Sequence, residues 1–232
     1  MAMLSGKLGL ICRSIGTESV GSTEARHGPQ GMKDLPLSKV YQLLEPGPVV
    51  LLTTARKGRT NVMTMSWHMM VEFEPPQVAC IVSSANYSFA ALRTTGECVI
   101  AIPARKLAAK VVKVGNSSGR DIDKFATFGL TKMPAKRVAP PLIADCFANL
   151  ECKVTDTRLV NKYNLFILEV LKAWIDPAQR NPKTIHHRGY STFVVDGDTI
   201  TLKSRMRDPS IRPITLRPRV SRMRGGRGLE QR

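Results

Sequence analysis

Short apolar runs separated by turn-forming residues dominate the chain between residues 47 and 202. The apolar runs are rich in Val, Ile, Leu and Met, and the stretches between them in Gly, Pro, Ser and Asn, which is typical of β-strands joined by turns. We predict strands over residues 47–55, 61–71, 77–84, 97–103, 148–156 and 163–175, and a hairpin over 193–202 that turns at Asp196 and Gly197.

Two segments have helical rather than alternating spacing. Residues 87–96 place apolar side chains on one helical face and end at Gly96, and residues 106–115 end at Gly115. Many short strands with few short helices, and no regular strand-helix-strand alternation, favour a barrel over a doubly wound sheet. The pattern therefore predicts a mainly β fold, a β-barrel with a few short helices.

The two ends of the chain differ from this middle part. Residues 1–31 are rich in Gly, Ser and Thr without lasting periodicity, and Met32 opens a segment typical of a helix start. Residues 204–232 hold nine arginines, two acidic residues and no aromatic residue. We predict a folded domain over 32–203, preceded by a weakly ordered N-terminal extension (1–31) and followed by a basic tail (204–232).

Basic residues exceed acidic ones, with 35 Lys and Arg against 18 Asp and Glu and a formal net charge of +17. The tail accounts for part of this excess, but without aromatic side chains it lacks the stacking platform of single-strand nucleic-acid binders. We therefore expect no nucleic-acid partner, with a polyanion-binding tail as the alternative. The excess that remains in the middle favours small anionic ligands such as phosphates.

The five cysteines are odd in number and lack C-x-x-C spacing, so neither a disulfide framework nor a metal site is indicated. We expect buried free thiols. No apolar run reaches the roughly 18 to 20 residues that span a bilayer, and the first residues are too polar for a signal-peptide core. The expectation is a cytoplasmic protein without a membrane partner.

The predicted strand over 61–71 carries unusual polar residues. Strand alternation puts one set of side chains on one face, Asn61, Met63, Met65 and Trp67, and a second set on the other, Val62, Thr64, Ser66 and His68. Small hydroxyls beside exposed main-chain amides suit a planar heteroaromatic ligand with a polar edge. A half-exposed strand whose Thr and Ser face solvent is the alternative.

Two further stretches have the composition of anion sites. Hydroxyl and amide side chains gather where a strand ends and a helix begins, at Ser83, Ser84, Asn86 and Ser88, which indicates either a phosphate site or an ordinary N-cap. The loop 115–125 offers Ser117, Ser118, Gly119, Arg120 and Lys124, without the residue order of a P-loop. In the alternative, Asp121 and Asp123 pair with the basic groups of a surface loop.

Taken in order, five motifs resemble the flavin reductase-like FMN-binding split-barrel proteins, closest to their flavoredoxin and ferric reductase branch. The motifs are "NVMTMSWHMMVEFEPPQVACIVSSANYSFAALRTTGECVIAIP", "GNSSGRDIDKF", "APPLIADCFANLECKV", "YNLFILEVL" and "HRGYSTFVVDG". The resemblance extends over about residues 35–202. It implies a Greek-key split β-barrel, a homodimer, and FMN near the subunit interface.

The resemblance also implies which residues bind the cofactor. The isoalloxazine would lie along the first motif, at Thr64, Met65, Ser66 and Trp67, and Asn61 of the same motif would also bind the cofactor. The ribityl chain and phosphate would meet Ser83, Ser84, Asn86, Tyr87 and Ser88. Arg120 and Lys124 would close over the cofactor from their loop. No residue stands out as an acid or base catalyst, and no metal is implied.

The implied activity is transfer of electrons from NAD(P)H through FMN to free flavin, a ferric chelate or a protein acceptor. The alternative is a non-enzymatic FMN-binding electron carrier. Tyr163 occupies the position of a histidine that many reductases of this family carry, and Leu168 replaces a glycine, which weakens the reductase inference but not FMN binding. His187 and Arg188 match a family element that borders the pocket, or form part of a surface histidine pair.

Overall fold

The computed structural model describes residues 47–176, 178–179 and 181–200. Within this part the chain is mainly β, as predicted. The strands are β1 (Val50–Arg56), β2 (Arg59–Met65), β3 (His68–Phe73), β4 (Pro76–Ile81), β5 (Glu97–Ile102), β6 (Lys132–Met133), β7 (Leu142–Ile143), β8 (Ala148–Asp156), β9 (Leu165–Ile175), β10 (Ile185–His187) and β11 (Phe193–Val195). The helices are α1 (Tyr87–Thr95), α2 (Ala108–Gly115), α3 (Lys124–Phe128) and α4 (Val160–Tyr163), and a 3-10 turn, Arg105–Leu107, precedes α2.

Seven strands form one antiparallel sheet in the order β2-β1-β5-β8-β9-β4-β3. Strands β2 and β3 lie at opposite edges of this sheet, yet only Ser66 and Trp67 connect them along the chain. A two-residue link cannot cross a flat sheet of seven strands, whose neighbours lie about 4.8 Å apart. The sheet must therefore curl until its two edges meet, which gives the predicted barrel.

The prediction of one strand over 61–71 is wrong, because the backbone breaks between β2 and β3. The amide of His68 turns back to the carbonyl of Ser66 (3.2 Å), and the carbonyl of Trp67 accepts from Ile81 N (3.0 Å). Nε2 of His68 lies 2.7 Å from the carbonyl oxygen of Pro48, which ties the start of β3 to the entry of β1. The predicted alternation of faces therefore stops at Met65.

Two apolar clusters fill the two sides of the sheet. Because successive strand residues point to opposite faces, Val50 and Leu52 of β1 pack inside the barrel with Met65. Val49 and Leu51 pack outside against α2, α3 and the short strands. All five side chains are at most 4% exposed. Helices α2 and α3 are thus held against the outer face of β1 and β2, where they flank the candidate site.

The predicted hairpin at Asp196 and Gly197 is also wrong within the described residues. Strand β11 pairs instead with β10, and residues 196–200 form no strand. The Asp196 carboxylate accepts from the Thr184 hydroxyl (2.5 Å) and lies 2.7 Å from His186 Nε2, so it closes the open end of the β10–β11 pair. The rest of the predicted second arm, from Thr201 onward, lies outside the described residues.

The four cysteines that the structure describes, Cys80, Cys98, Cys146 and Cys152, are free and buried, as predicted. Burial raises the pKa of Cys80 and of Cys146 to about 12. Across residues 47–200, apart from 177 and 180, no group of His, Cys, Asp or Glu could hold a metal ion. No helix in this part has the length and apolarity needed to cross a membrane. The predicted extension 1–31, the tail 204–232 and the boundaries at 32 and 203 lie outside it.

Candidate functional site

A cleft of about 150 Å³ opens beside β2, between the start of α1 and the loop that joins α2 to α3. Seven of the predicted cofactor-binding residues line it: Asn61, Thr64, Asn86, Tyr87, Ser88, Arg120 and Lys124. Seven further lining residues were not among the predicted cofactor-binding residues, although three of them, Ser117, Ser118 and Gly119, belong to the loop that was expected to offer an anion site; the other four are Met63, Ala85, Val114 and Gly115. The fold thus joins three separate sequence stretches in one place.

Ser88 lies at the bottom of the cleft and is not an N-cap. The N-cap of α1 is Asn86, whose side chain makes no capping hydrogen bond. The buried Ser88 Oγ accepts a hydrogen bond from Asn61 Nδ2 (2.9 Å), with Thr54 Oγ1 3.5 Å away. Ser88 therefore connects the helix to the edge strand and presents a hydroxyl to the cleft.

Lys124 is a buried cation in the wall of the cleft, only 5% exposed. Its Nζ donates one hydrogen bond, to the carbonyl of Val114 (2.9 Å), and forms no ion pair with any described residue. Burial lowers the pKa of Lys124 to about 8, because a desolvated ammonium is costly. An ammonium has three donors, so two remain for a ligand.

The carboxylates beside Lys124 do not neutralise it. Asp123 caps α3, and its Oδ1 accepts from Phe125 N (2.9 Å) and Ala126 N (3.3 Å). Asp121 makes no ion pair among the residues described. The alternative of a surface loop whose acids pair with its basic groups is therefore not what forms, and the cleft keeps an excess of positive charge.

Gly119 brings the loop backbone against the cleft wall. A Cβ at this position would lie 2.1 Å from Asn61 Oδ1 and 2.8 Å from Tyr87 Cδ1, far inside van der Waals contact. Only glycine allows this approach. The loop thereby holds Asn61 from one side while Ser88 holds it from the other, which fixes the amide in the cleft.

Arg120 lies on the rim of the cleft. Its exposed guanidinium reaches across to α1, with Nη2 3.5 Å from the Ala85 carbonyl and Cζ 5.8 Å from the centre of the Tyr87 ring. The start of α1 adds its own positive end to the same place. Two cations and a helix N-terminus thus face a cleft whose lining, among the described residues, includes no carboxylate.

The remaining predicted residues lie elsewhere. The Met65 side chain is buried inside the barrel, and Met65 does not line the cleft. Ser66 and Trp67 form the β2–β3 link, where Trp67 is 52% exposed. Ser83 accepts from Ala85 N (3.3 Å) in the turn before α1, and Ser84 is exposed.

The family elements at the other end of the sequence do not border the cleft either. His187 is buried, packs on the Phe193 ring (5.1 Å between centres) and lies 3.0 Å from the Tyr190 carbonyl. Arg188 is exposed in the turn between β10 and β11. Tyr163 is exposed at the end of α4, and Leu168 is buried inside the barrel.

Comparisons with known proteins agree with this architecture. Residues 43–193 match the family described as "Flavin reductase like domain". The chain is 32% identical over 179 residues to the uncharacterised protein YddH of Escherichia coli, an alignment that covers 71% of this chain and 95% of YddH.

Among solved structures, an FMN-binding domain of flavin reductase-like enzymes from Shewanella baltica superposes with a TM-score of 0.63 at 26% identity, covering 72% of this chain and 95% of that one. Flavoredoxin of Desulfovibrio vulgaris superposes with a TM-score of 0.64 at 23% identity, covering 77% and 97%. These superpositions establish the split-barrel fold that the motifs implied.

Proposed function

The chain belongs to the flavin reductase-like domain family, and from this premise we propose that it is an FMN-binding oxidoreductase that takes electrons from NAD(P)H. The observation that carries the proposal is the buried Lys124 ammonium without a carboxylate partner among the described residues, set in a cleft with Ser88 and Asn61. A buried cation of this kind is costly unless an anion completes its shell. The FMN phosphate is such an anion.

The phosphate end of FMN fits the donors of the cleft. Lys124 has two donors to spare, Ser88 offers its hydroxyl, and Arg120 covers the rim. Asn61, held by Ser88 at 2.9 Å, positions that hydroxyl. These groups bind and orient the cofactor; bound FMN itself supplies hydride acceptance and the return of electrons singly or in pairs.

The isoalloxazine end would extend along β2 toward Thr64, Ser66 and Trp67. At about 150 Å³ the cleft is well below the roughly 300 to 1,000 Å³ of complete small-molecule sites. It has room for the phosphate end of FMN alone. The Thr64 hydroxyl already donates to the Val111 carbonyl (2.7 Å), so toward the flavin it acts as an acceptor, alongside main-chain groups.

A second copy of the chain would complete the site. Strand β3 is an edge strand, and its exposed side chains are apolar except for Glu72: Met69 is 65% and Phe73 80% exposed. Contiguous apolar surface of this kind is typical of protein interfaces. Trp67 lies immediately before the same strand, so a homodimer through β3 would cover the flavin ring end. We include this homodimer, and a cytoplasmic location supported by the free thiols, in the proposal.

Two candidate functions differ in the electron acceptor. An enzyme would pass electrons to free flavin, a ferric chelate or a protein, whereas a flavoredoxin-like carrier would exchange them with protein partners only. Tyr163 and Leu168, at positions where many reductases of the family carry histidine and glycine, favour the carrier. The cleft favours neither function, because it is proposed to hold the FMN phosphate, which both functions require.

Two measurements test the proposal in sequence. Titration of the purified protein with FMN should quench flavin fluorescence at one FMN per chain, and failure to bind FMN would end the proposal. Anaerobic mixing of the FMN-loaded protein with NADH and with NADPH should then bleach the flavin at catalytic rates. A loaded protein that is reduced only by protein donors would be the carrier.

A further inference from the structure

The amine of Lys124 combines two properties that make a lysine nucleophilic. Burial lowers its pKa to about 8. At pH 7 about a tenth of such amines are therefore neutral, against roughly one in three thousand at the ordinary lysine pKa. A neutral amine that donates one N–H, here to the Val114 carbonyl (2.9 Å), keeps its lone pair for an electrophile in the cleft.

No acidic group holds this amine in its charged form within the described part of the chain. Asp123 accepts from two backbone amides at the start of α3, and the exposed Asp121 makes no ion pair there. Among the described residues, β2, α1 and the end of α2 contribute only uncharged side chains to the cleft, and Arg120 is the other charge in its lining. The amine can therefore give up its proton without breaking an ion pair.

The same cleft gathers donors for a small phosphate beside that amine. The Arg120 guanidinium lies on the rim, with Nη2 3.5 Å from the Ala85 carbonyl, and Ser88 presents its hydroxyl from the bottom. Asn86, the N-cap of α1, leaves the first-turn amides without a capping side chain. At about 150 Å³ the cleft is small for a complete ligand site but admits a compound of the size of an acyl phosphate.

We propose that Lys124 is a modification site, acylated on Nζ by small acyl phosphates that the cleft binds through their phosphate group. The neutral Nζ attacks the acyl carbon, so that a C–N bond forms and the C–O bond to the phosphate breaks. The leaving phosphate takes the electron pair of the broken bond and the proton that the nitrogen loses. The step needs no further reactant, and its product is an amide that carries no charge.

The modification would act as a switch on cofactor binding, a consequence that rests on the proposed function. Acylation removes the charge and the charge-assisted hydrogen bonds of the lysine. The acylated protein should therefore bind FMN about tenfold or more weakly, while riboflavin, which has no phosphate, should bind as before. Bound FMN should in turn protect Lys124 from acylation, because its phosphate occupies the place of the acyl phosphate.

The test treats the flavin-free, full-length protein with acetyl phosphate and follows each lysine by peptide mass spectrometry. Lys124 should be acetylated at least tenfold faster than Lys113, an exposed lysine on α2 that does not line the cleft. Inorganic phosphate should slow the reaction at Lys124 and leave Lys113 unaffected. Arg120→Gln should slow it at Lys124 alone, and Arg93→Gln, at an exposed position near the end of α1, should change neither rate.

Equal rates at the two lysines, or a rate at Lys124 that inorganic phosphate does not slow, would overturn the modification site. Protection by FMN but not by riboflavin supports both the site and the proposed function. Protection by inorganic phosphate without protection by FMN keeps the modification site and removes the FMN phosphate from the cleft. Tight FMN binding without preferential acetylation of Lys124 has the opposite meaning, since it overturns this inference and leaves the proposed function intact.

Discussion

Two buried charges in this small barrel have opposite surroundings. Glu151 on β8 is fully buried, and its carboxylate accepts from Lys136 N (3.0 Å), from Arg137 N and from Trp174 Nε1 (2.6 Å). Lys124 is buried almost as deeply but has a single hydrogen bond, to Val114 O. One charge is saturated by its own chain, and the other is left with free donors.

The difference separates a structural charge from a binding one. Burial alone raises the pKa of the Glu151 carboxyl, but the hydrogen bonds from Trp174 and the backbone amides of 136–138 outweigh it and hold that pKa below its usual range. For Lys124 burial acts unopposed and lowers the pKa to about 8. Glu151 thus stabilises the fold by anchoring the segment before β7, whereas Lys124 costs stability until a ligand arrives.

The largest effect should come from Glu151→Ala. It leaves three donors without an acceptor in the interior, and we expect a loss of about 3 to 5 kcal/mol in the free energy of unfolding. Glu151→Gln keeps the shape and one acceptor and should lose less. Urea unfolding measures both, and FMN affinity of the folded protein should not change. A loss below about 1 kcal/mol for the alanine variant would contradict the structural role.

The free energy of unfolding at acidic pH gives a second test of the role of Glu151. Because the pKa of Glu151 is lower in the folded than in the unfolded chain, its stabilisation is complete above the usual glutamate pKa. It is lost as the pH falls through the folded value. Glu151→Gln should flatten that part of the curve of unfolding free energy against pH.

Lys124→Met should have the opposite signature. Removing an unpaired buried cation should leave the free protein as stable as wild type or more stable. FMN affinity should fall about ten- to hundredfold, since a charge-assisted hydrogen bond of roughly 1.5 to 3 kcal/mol is lost. Riboflavin, which has no phosphate, should bind both proteins alike. Lys113→Met, an exposed lysine on α2, is the matched control.

Equal losses for FMN and riboflavin in Lys124→Met would mean that the phosphate lies elsewhere. Destabilisation of the free protein comparable to that of Glu151→Ala would mean that Lys124, too, is structural. Either result would remove the distinction between the two charges.

The pH dependence of FMN binding should follow Lys124. In the free protein this group loses its proton near pH 8, and a bound phosphate raises its pKa again. FMN affinity should therefore be level between pH 7 and 8 and fall by up to about tenfold per pH unit above that. The fall should be absent for riboflavin and in Lys124→Met. A slope that persists in the variant would assign it to another group.

Much of the fold could be predicted from local pattern. The strands over 47–55, 77–84 and 97–103 were confirmed within a few residues, because each contains a short apolar run between turn signals. The helix at 87–96 was confirmed because its apolar residues share one helical face and Gly96 ends it. The break at Ser66 and Trp67 could not be predicted, since residues 61–71 contain no glycine or proline that would mark the end of a strand. It is imposed by barrel closure, a long-range requirement that sends β2 and β3 to opposite edges.

The residue types of the candidate site could be predicted from the sequence, but their arrangement in space could not. Hydroxyls near 83–88 and basic residues near 115–125 indicated a phosphate site, and the fold joins both stretches to β2. The buried contact between Ser88 and Asn61 and the approach of Gly119 depend on packing between distant segments. The structural role of Glu151 could not be predicted from the sequence pattern, because its partners are backbone amides 14 and 15 residues away and an indole 23 residues away.

The smallest predicted effect tests the link between the two walls of the cleft. Ser88→Ala removes the hydroxyl that accepts from Asn61 Nδ2 (2.9 Å), and with it the one neutral hydrogen bond that the proposal assigns to it toward the FMN phosphate. A loss of about 1 kcal/mol corresponds to a roughly fivefold weaker FMN complex. Riboflavin should lose less, since only the position of Asn61 changes for it. Ser84→Ala, at an exposed serine that does not line the cleft, is the control.

Because Ser88 is not the N-cap of α1, the thermal stability of the ligand-free Ser88→Ala variant should drop only by the loss of the hydrogen bond that Asn61 donates. Isothermal titration with both flavins measures the two affinities. If Ser88→Ala lowers the affinities for FMN and riboflavin by the same factor, Ser88 is a packing residue rather than a phosphate ligand.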